Sequence, residues 1–279
     1  PVADRPNDFD FGMSKTKAAY LAHSQAFPLQ YVIDGKVCKG ASCGACVKAC
    51  AYGAIDLSMK AETVTVKAGA VVTATGWNPY DASKMDNLGF GKVQNVITNM
   101  MMERLAAPNG PTAGKIVRPS NGKEAKNIAF VQCAGSRDEN HLPFCSYICC
   151  LASLKQATYV REQYADSKVK VFYIDIRTPG LYENRFYAKL QQDANVSFLK
   201  GKVAKIEQGE NGAVKVTAED IHGGGKVTET FDLVVLATGM EPTAKSLAGA
   251  GVKATWDGFA DQSALPKGVY AAGTVKAPV

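Results

Sequence analysis

The sequence predicts an α/β protein built on a parallel sheet, with a small cysteine-bearing segment set into its N-terminal part. Three observations carry that reading. An apolar strand at 128–131, a long helical pattern at 145–164 and a second apolar strand at 169–174 follow one another, which is βαβ order. Two separate strands end in the same pair, Thr75-Gly76 and Thr238-Gly239, a strand-to-turn signal. The eight cysteines fall into two groups, 38–50 and 133–150, with none elsewhere.

Composition bounds the possibilities. With 279 residues, 46% hydrophobic and 21% charged, the chain can bury one or two cores. No run approaches the roughly 18 consecutive apolar residues of a membrane span, so any membrane link is expected to run through a partner. The net charge of +6 is modest and the 32 basic residues are dispersed, which argues against nucleic acid. No secretory signal is evident. The cysteines are therefore expected as thiolates in a reducing, cytoplasmic setting where they bind metal, and not as a disulfide framework. The start at Pro1-Val2, without an initiator methionine, reads as a truncated chain.

In chain order, a turn-rich opening leads to a short helix expected over 14–23 with Ser14 as N-cap. The first cysteine group follows. Alternation at Val64 and Val66 and the run 70–76 predict a buried strand. A Pro-, Asn- and Gly-rich loop at 107–122 reads as a domain crossover. After the βαβ unit come a helix over 181–192, strands at 196–199, 203–207 and 214–219, a hairpin turn at 222–225, a strand at 231–239 and a last short strand at 268–273. The boundaries this suggests are 1–62, 63–120, 121–234 and 235–279.

Cys38, Cys43, Cys46 and Cys50 are spaced C-x4-C-x2-C-x3-C among small residues. Short flexible loops let thiolates and backbone N–H groups converge on an anionic cubane, so a [4Fe–4S] cluster is favoured over zinc, which prefers two separated cysteine pairs. Ala51 stands where a ferredoxin motif usually has proline. In two-cluster ferredoxins the fourth cysteine of each motif serves the other cluster. By that rule Cys38, Cys43 and Cys46 need a further thiolate, expected just before Pro1.

Cys133, Cys145, Cys149 and Cys150 match no standard zinc or ferredoxin spacing. A helix beginning near Pro143 would put Cys145 and Cys149 one turn apart at its positive end, beside Cys150 and across from Cys133 at the end of the preceding strand. A metal site of open type is expected there, against the alternative of buried core cysteines. The same turn carries one glycine, Gly135, where a dinucleotide turn needs G-x-G-x-x-G, so NAD(P)H binding is disfavoured. Asp175 is expected to pair with Arg177. His23, His141 and His222 show no ligand spacing, and Lys276 reads as an exposed lysine.

Several stretches together are distinctive: Val72-Thr73-Ala74-Thr75-Gly76-Trp77, the run Phe130 to Glu139, Cys145-x3-Cys149-Cys150, the run Phe172 to Arg177, and Ala271-Ala272-Gly273. On these the chain resembles the heterodisulfide reductase A-type family, most closely the branch of A subunits from quinone-interacting membrane-bound oxidoreductase complexes. The resemblance implies two dinucleotide-binding-type, thioredoxin-reductase-like domains with a ferredoxin-type iron–sulfur insert, the chain being truncated at both ends. It implies FAD held against Thr75, Gly76, Thr238, Gly239, Gly273 and Thr274, and a [4Fe–4S] cluster on Cys133, Cys145, Cys149 and Cys150. The Gly-rich turn that holds the FAD pyrophosphate in that family is absent, and Thr274 replaces an acidic residue common in such flavoproteins. The implied partners are adenylylsulfate reductase and two kinds of subunit in one complex, one carrying flavin and iron–sulfur groups and one carrying haem and quinone in the membrane. Through those subunits the chain would be held at the membrane. The rival readings are an NAD(P)H-dependent flavoprotein reductase and a zinc-bearing scaffold.

Overall fold

A computed structural model describes residues 4–180 and 183–278. Pro1 and Val2, on which the upstream-ligand expectation rests, and Leu181 and Tyr182 lie outside the described residues. The chain forms two compact units, residues 1–67 and 68–279.

Among the described residues the first unit holds four three-residue strands, β1 (Asp4–Pro6), β2 (Lys15–Lys17), β3 (Ala19–Leu21) and β4 (Tyr31–Ile33), two 3-10 turns, Asp8–Asp10 and Gly40–Ser42, and one short α-helix, α1 (Ala45–Ala49). β1 pairs with β2 and β3 with β4, both antiparallel. The helix expected over 14–23 does not form. A segment of ten residues would be marginal as a helix by itself, and the partner strands supply its backbone bonds instead. Ser14 packs its hydroxyl against Asp10 and Asn7 and caps nothing. Arg5 braces the unit, with Nε 2.9 Å from Asp34 Oδ2 and its guanidinium 4.4 Å from the Tyr20 ring centroid.

The second unit is built on a five-stranded parallel sheet in the order β10-β9-β8-β14-β7. In chain order its members are β5 (Val71–Thr73) and β6 (Trp77–Pro79), β7 (Val96–Thr98), α2 (Asn99–Ala106), β8 (Asn127–Ala134), α3 (Cys149–Gln163), β9 (Lys168–Tyr173), α4 (Ala188–Gln191), β10 (Val196–Lys200), β11 (Val203–Gln208), β12 (Val214–Asp220), β13 (Gly225–Phe231), β14 (Leu233–Thr238), β15 (Met240–Pro242) and β16 (Val269–Ala271). β8, β9 and β10 run outward in sequence order while β14 lies on the other side of β8, which is a dinucleotide-fold sheet with its switch point beside β8. β11, β12 and β13 form an antiparallel meander. Between sheet and meander lies a core of Ala129, Val131, Phe172, Ile206, Val216, Phe231 and Leu236. Two small pairs flank it, β5 with β16 (parallel) and β6 with β15 (antiparallel).

Several expectations change. Only Val71–Thr73 of the run 63–76 is a strand, and it is not buried, since Val71 and Val72 are 46% and 64% exposed. α3 starts at Cys149, not near Pro143, because Tyr147 takes a left-handed backbone (φ +60°) that no α-helix accommodates. Cys145 and Cys149 therefore do not share a helical face. The segment 183–191 is a π-helical turn, Glu183–Tyr187, running into α4. α2 and β13 had no sequence expectation. Asp175 pairs with Arg137 (2.7 Å), while Arg177 lies over the Tyr147 ring.

Candidate metal and flavin centres

The first group is shaped by turns. After β4 the Asp34 carbonyl accepts from the N–H groups of Val37 (3.1 Å) and Cys38 (2.8 Å), so the Arg5–Asp34 pair fixes where the first thiol stands. Gly40 N–H points at Cys38 Sγ at 3.3 Å. Gly44, at φ +52°, turns the chain into α1, which carries Cys46. Cys38, Cys43 and Cys46 line one cavity of about 20 Å³ with Gly40, Gly44 and Leu57. Cys50 ends α1 and joins Cys38 and Cys46 in the wall of a larger groove of about 890 Å³ with Val32, Ile33, Ile55 and Met59. Neither space is lined by all four thiols.

Cys50 is also distinct electrostatically. The N–H groups of Ala54, at 3.4 Å, and Tyr52 hold its thiol below the ordinary value, partly offset by burial. The thiolate is the nucleophile, so a lowered pKa raises reactivity at a given pH. In metal-free protein at pH near 8, iodoacetamide should modify Cys50 before Cys133 or Cys149, whose thiols are pushed the other way. Peptide mapping by mass spectrometry checks this; equal or reversed rates would contradict it.

The second group is built by an irregularity in the sheet. Val131 pairs with Leu236, but the next pair is Ala134 with Thr238, so β8 spends three residues where β14 spends two. Cys133 lies in this bulge with a left-handed backbone (φ +56°), which costs a non-glycine residue roughly 1–2 kcal/mol. The loop that follows is closed by Leu142 N–H to Gly135 O (2.9 Å) and Arg137 N–H to Phe144 O (3.0 Å). Gly135, at φ +79°, lets the Tyr80 ring lie directly on the backbone, and Tyr80 Oη meets His141 Nδ1 at 2.8 Å. Ser136 and Ser146 join hydroxyls across the loop at 2.9 Å, and Ser146 also accepts from Met240 N–H at 2.9 Å.

α3 brings in two more thiols, and Cys145 stands in the loop before it. Ile148 offers no side-chain cap and the first turn holds no acidic residue, so the positive end of the helix is uncompensated where Cys149 and Cys150 stand. Cys149 donates to the Thr238 carbonyl (3.5 Å) and Cys150 to the Asp175 carbonyl (3.6 Å). The thiols of Cys133, Cys149 and Cys150 are all pushed upward. Burial pushes Cys133 up to about 11, with Cys150 and Cys145 adding and Arg137 opposing. Burial raises Cys149 most strongly, and the other three thiols raise it further. Cys150 is raised by burial, opposed by the Arg177 backbone N–H. Among the described residues no three His, Cys, Asp or Glu side chains close on a single ion. What the site offers is four adjacent thiols beside a helix N-terminus and the guanidinium of Arg137, the surroundings that lower the cost of an anionic, many-atom centre.

The expected flavin contacts divide. Thr75 and Gly76 follow β5, Gly273 and Thr274 follow β16, and the two strands pair directly. A Cβ on Gly76 would lie 3.8 Å from Thr274 Oγ1, so these four residues form one rim. Thr243 fastens it, with its Oγ1 2.8 Å from Thr75 Oγ1 and donating to the Gly76 carbonyl at 2.7 Å. Thr238 and Gly239 lie elsewhere. Thr238 is 1% exposed, hydrogen-bonded to Asn99 Oδ1 at 3.0 Å, and Gly239 packs against Ser136 and Ser146 under the second thiol group. Lys276 is exposed, and His23 stacks on Phe9. Sequence reasoning missed Tyr80, Arg137, Ser146 and Thr243; of these, Arg137 and Ser146 lay inside stretches already marked as distinctive.

A dinucleotide-fold sheet with a thiol-bearing loop where the pyrophosphate turn would stand defines the class: an α/β dinucleotide-fold domain with a group of cysteines at the switch point. No protein-family model matches the chain. It is 40% identical over 246 residues to the A subunit of the ferredoxin:CoB-CoM heterodisulfide reductase of Methanosarcina mazei, covering 88% of this chain and 30% of that protein. It is 35% identical over 288 residues to the A subunit of the H(2):CoB-CoM heterodisulfide,ferredoxin reductase of Methanothermobacter thermautotrophicus, covering 99% and 43%. With the A-type iron-sulfur subunit of the CoB–CoM heterodisulfide reductase of Methanocaldococcus jannaschii the identity is 39% over 239 residues, covering 85% and 36%. The chain belongs to this heterodisulfide reductase A-type family over the shared region, and spans less than half the length of these relatives. Among solved structures, thioredoxin reductase from Lactococcus lactis aligns over 74% of this chain and 57% of its own, with TM-score 0.48 and 13% identity. That of T. acidophilum gives 0.47 and 18%, over 75% and 58%.

Proposed function

We propose that the chain is the flavin- and iron–sulfur-binding part of an electron-transfer subunit of the heterodisulfide reductase A type. The observation that carries it is that Cys133, Cys149 and Cys150 stand at the switch point of the sheet, where this fold places its ligand, with Cys145 close enough to act electrostatically on each of them. On this reading the four thiolates hold a [4Fe–4S] cluster, and Arg137 with the first turn of α3 offsets its negative charge. Because the free thiols are held protonated by burial, loading the site releases protons to solvent. Cys38, Cys43 and Cys46 hold a ferredoxin-type centre, with Cys50 serving a neighbouring one. The rim of Thr75, Gly76, Gly273 and Thr274 takes part in holding FAD, drawn from the stretches 63–120 and 235–279. Thr238 and Gly239 serve the same flavin domain by supporting the loop beneath the cluster.

Flavin accepts electrons in pairs and passes them singly, and clusters carry single electrons onward. The residues of this chain position and insulate these groups; none of them is assigned a bond-making step. The finer assignment, a relay between soluble adenylylsulfate reductase and a quinone-linked membrane partner, rests on the resemblance of the distinctive stretches. No helix among the described residues is long and apolar enough to cross a membrane, so such an association would run through partner subunits. Anaerobically reconstituted protein should contain iron and acid-labile sulfide in near-equal amounts. Stoichiometric zinc without sulfide would overturn the proposal.

A further inference from the structure

Gln132 immediately precedes Cys133 on β8. It is 6% exposed, and neither Nε2 nor Oε1 has a hydrogen-bond partner among the described residues. An unpaired buried amide costs about 1–3 kcal/mol, and exchanging its nitrogen and oxygen would change nothing because both ends are unpaired. A side chain this costly at the end of the strand that carries the centre calls for a partner.

Strand alternation groups Gln132 with Ile128 and Phe130, opposite Ala129 and Val131. Ala129 and Val131 pack toward Ile206, Val214 and Val216 of the meander, so Gln132 belongs to the face that α3 covers. A βα crossover starts its helix over the C-terminal end of the strand it leaves. That places the first turn of α3, with Cys149 and Cys150, over the end of β8 where Gln132 stands. Ser153, one turn beyond Cys149, is also fully buried with an unpaired hydroxyl. Unpartnered polar atoms are thus found both at the end of β8, next to Cys133, and in α3, one turn from Cys149.

We propose that the amide N–H of Gln132 donates a hydrogen bond to a sulfur of the centre held by Cys133, Cys145, Cys149 and Cys150, and so sets its reduction potential. The inference rests on reading that site as a cluster site. A donor aimed at a cluster sulfur stabilises the more negative, reduced state, so the potential rises; removing it lowers the potential. The same residue is a burden when the site is empty, which makes its two effects opposite in sign.

The test compares Gln132→Met, close in length and without donors, and Gln132→Glu with the unaltered chain, each with and without reconstituted iron and sulfide. Without metal, Gln132→Met should melt at a higher temperature than the unaltered chain. With metal, the second-site signal should titrate at a more negative potential in both variants, and a chelator should strip it roughly tenfold faster. Selective labelling of glutamine side-chain nitrogen with ¹⁵N in the unaltered chain should add a hyperfine coupling to the reduced signal, a readout that needs no variant to fold. An unchanged potential at full iron and sulfide content, stability effects of one sign in both states, or no nitrogen coupling would each overturn the role of Gln132 alone. Failure of the unaltered chain to take up iron and sulfide would remove the cluster reading and this inference together.

Discussion

Cys149→Ser should abolish the principal iron–sulfur signal of the reconstituted chain, while Cys46→Ser should leave that signal essentially intact. The reason is the difference between the two groups. Cys149 is buried, feels the charge of each of the other three thiols, and stands in the first turn of a 15-residue helix packed on the parallel sheet. A serine there offers a poorer ligand and leaves a buried hydroxyl in place of a thiolate. In the first unit Cys38 and Cys46 share a small cavity with Cys43 and a larger groove with Cys50, and neither space is lined by all four thiols. That site should load poorly, or as a three-iron species, in the same preparation. Electron paramagnetic resonance on both reduced variants, with iron counted, decides the matter. Loss of the main signal in Cys46→Ser together with its survival in Cys149→Ser would show that the second group is structural.

The second large effect is expected from Gly239→Ala. A Cβ at this position would stand 2.2 Å from Ser136 Oγ, 2.6 Å from Leu142 Cδ1 and 3.1 Å from Ser146 Oγ. Relief requires turning Ser136 away from Ser146 and displacing Leu142, so overpacking and a broken buried hydrogen bond add to about 3 kcal/mol. Gly249→Ala, where an added Cβ meets nothing within 4 Å, is the control and should change stability by less than about 0.5 kcal/mol. Urea unfolding of the metal-free chain measures both. Ser136→Ala placed together with Gly239→Ala removes the nearest clash and should recover part of the loss. Equal stability of Gly239→Ala and the control would mean that the loop yields freely, and the support assigned to it would be wrong.

The sequence by itself determined the parallel α/β core, because βαβ order and strand-length apolar runs depend on near neighbours and on period alone. It also marked all eight cysteines, since sulfur chemistry is written in residue type and spacing. Its errors were of one kind. The segment 14–23 has no strong local preference, and partner strands from β1 and β4 decided it. The start of α3 was misplaced because Pro143 signals a helix locally, whereas the loop's own bonds and the left-handed Tyr147 hold residues 145–148 out of it.

Only the tertiary structure decided where the cysteines stand. The bulge at Cys133 arises from the pairing of β8 with β14, strands separated by about a hundred residues of chain. The partition of the expected flavin residues arises the same way: Thr75-Gly76 meets Gly273-Thr274 because β5 pairs with β16, while Thr238-Gly239 ends a central strand and is buried beneath the thiols. Both Thr-Gly pairs look alike in the sequence, since each ends an apolar run. What separates them is which strand lies alongside, and long-range backbone pairing is not encoded in any local window.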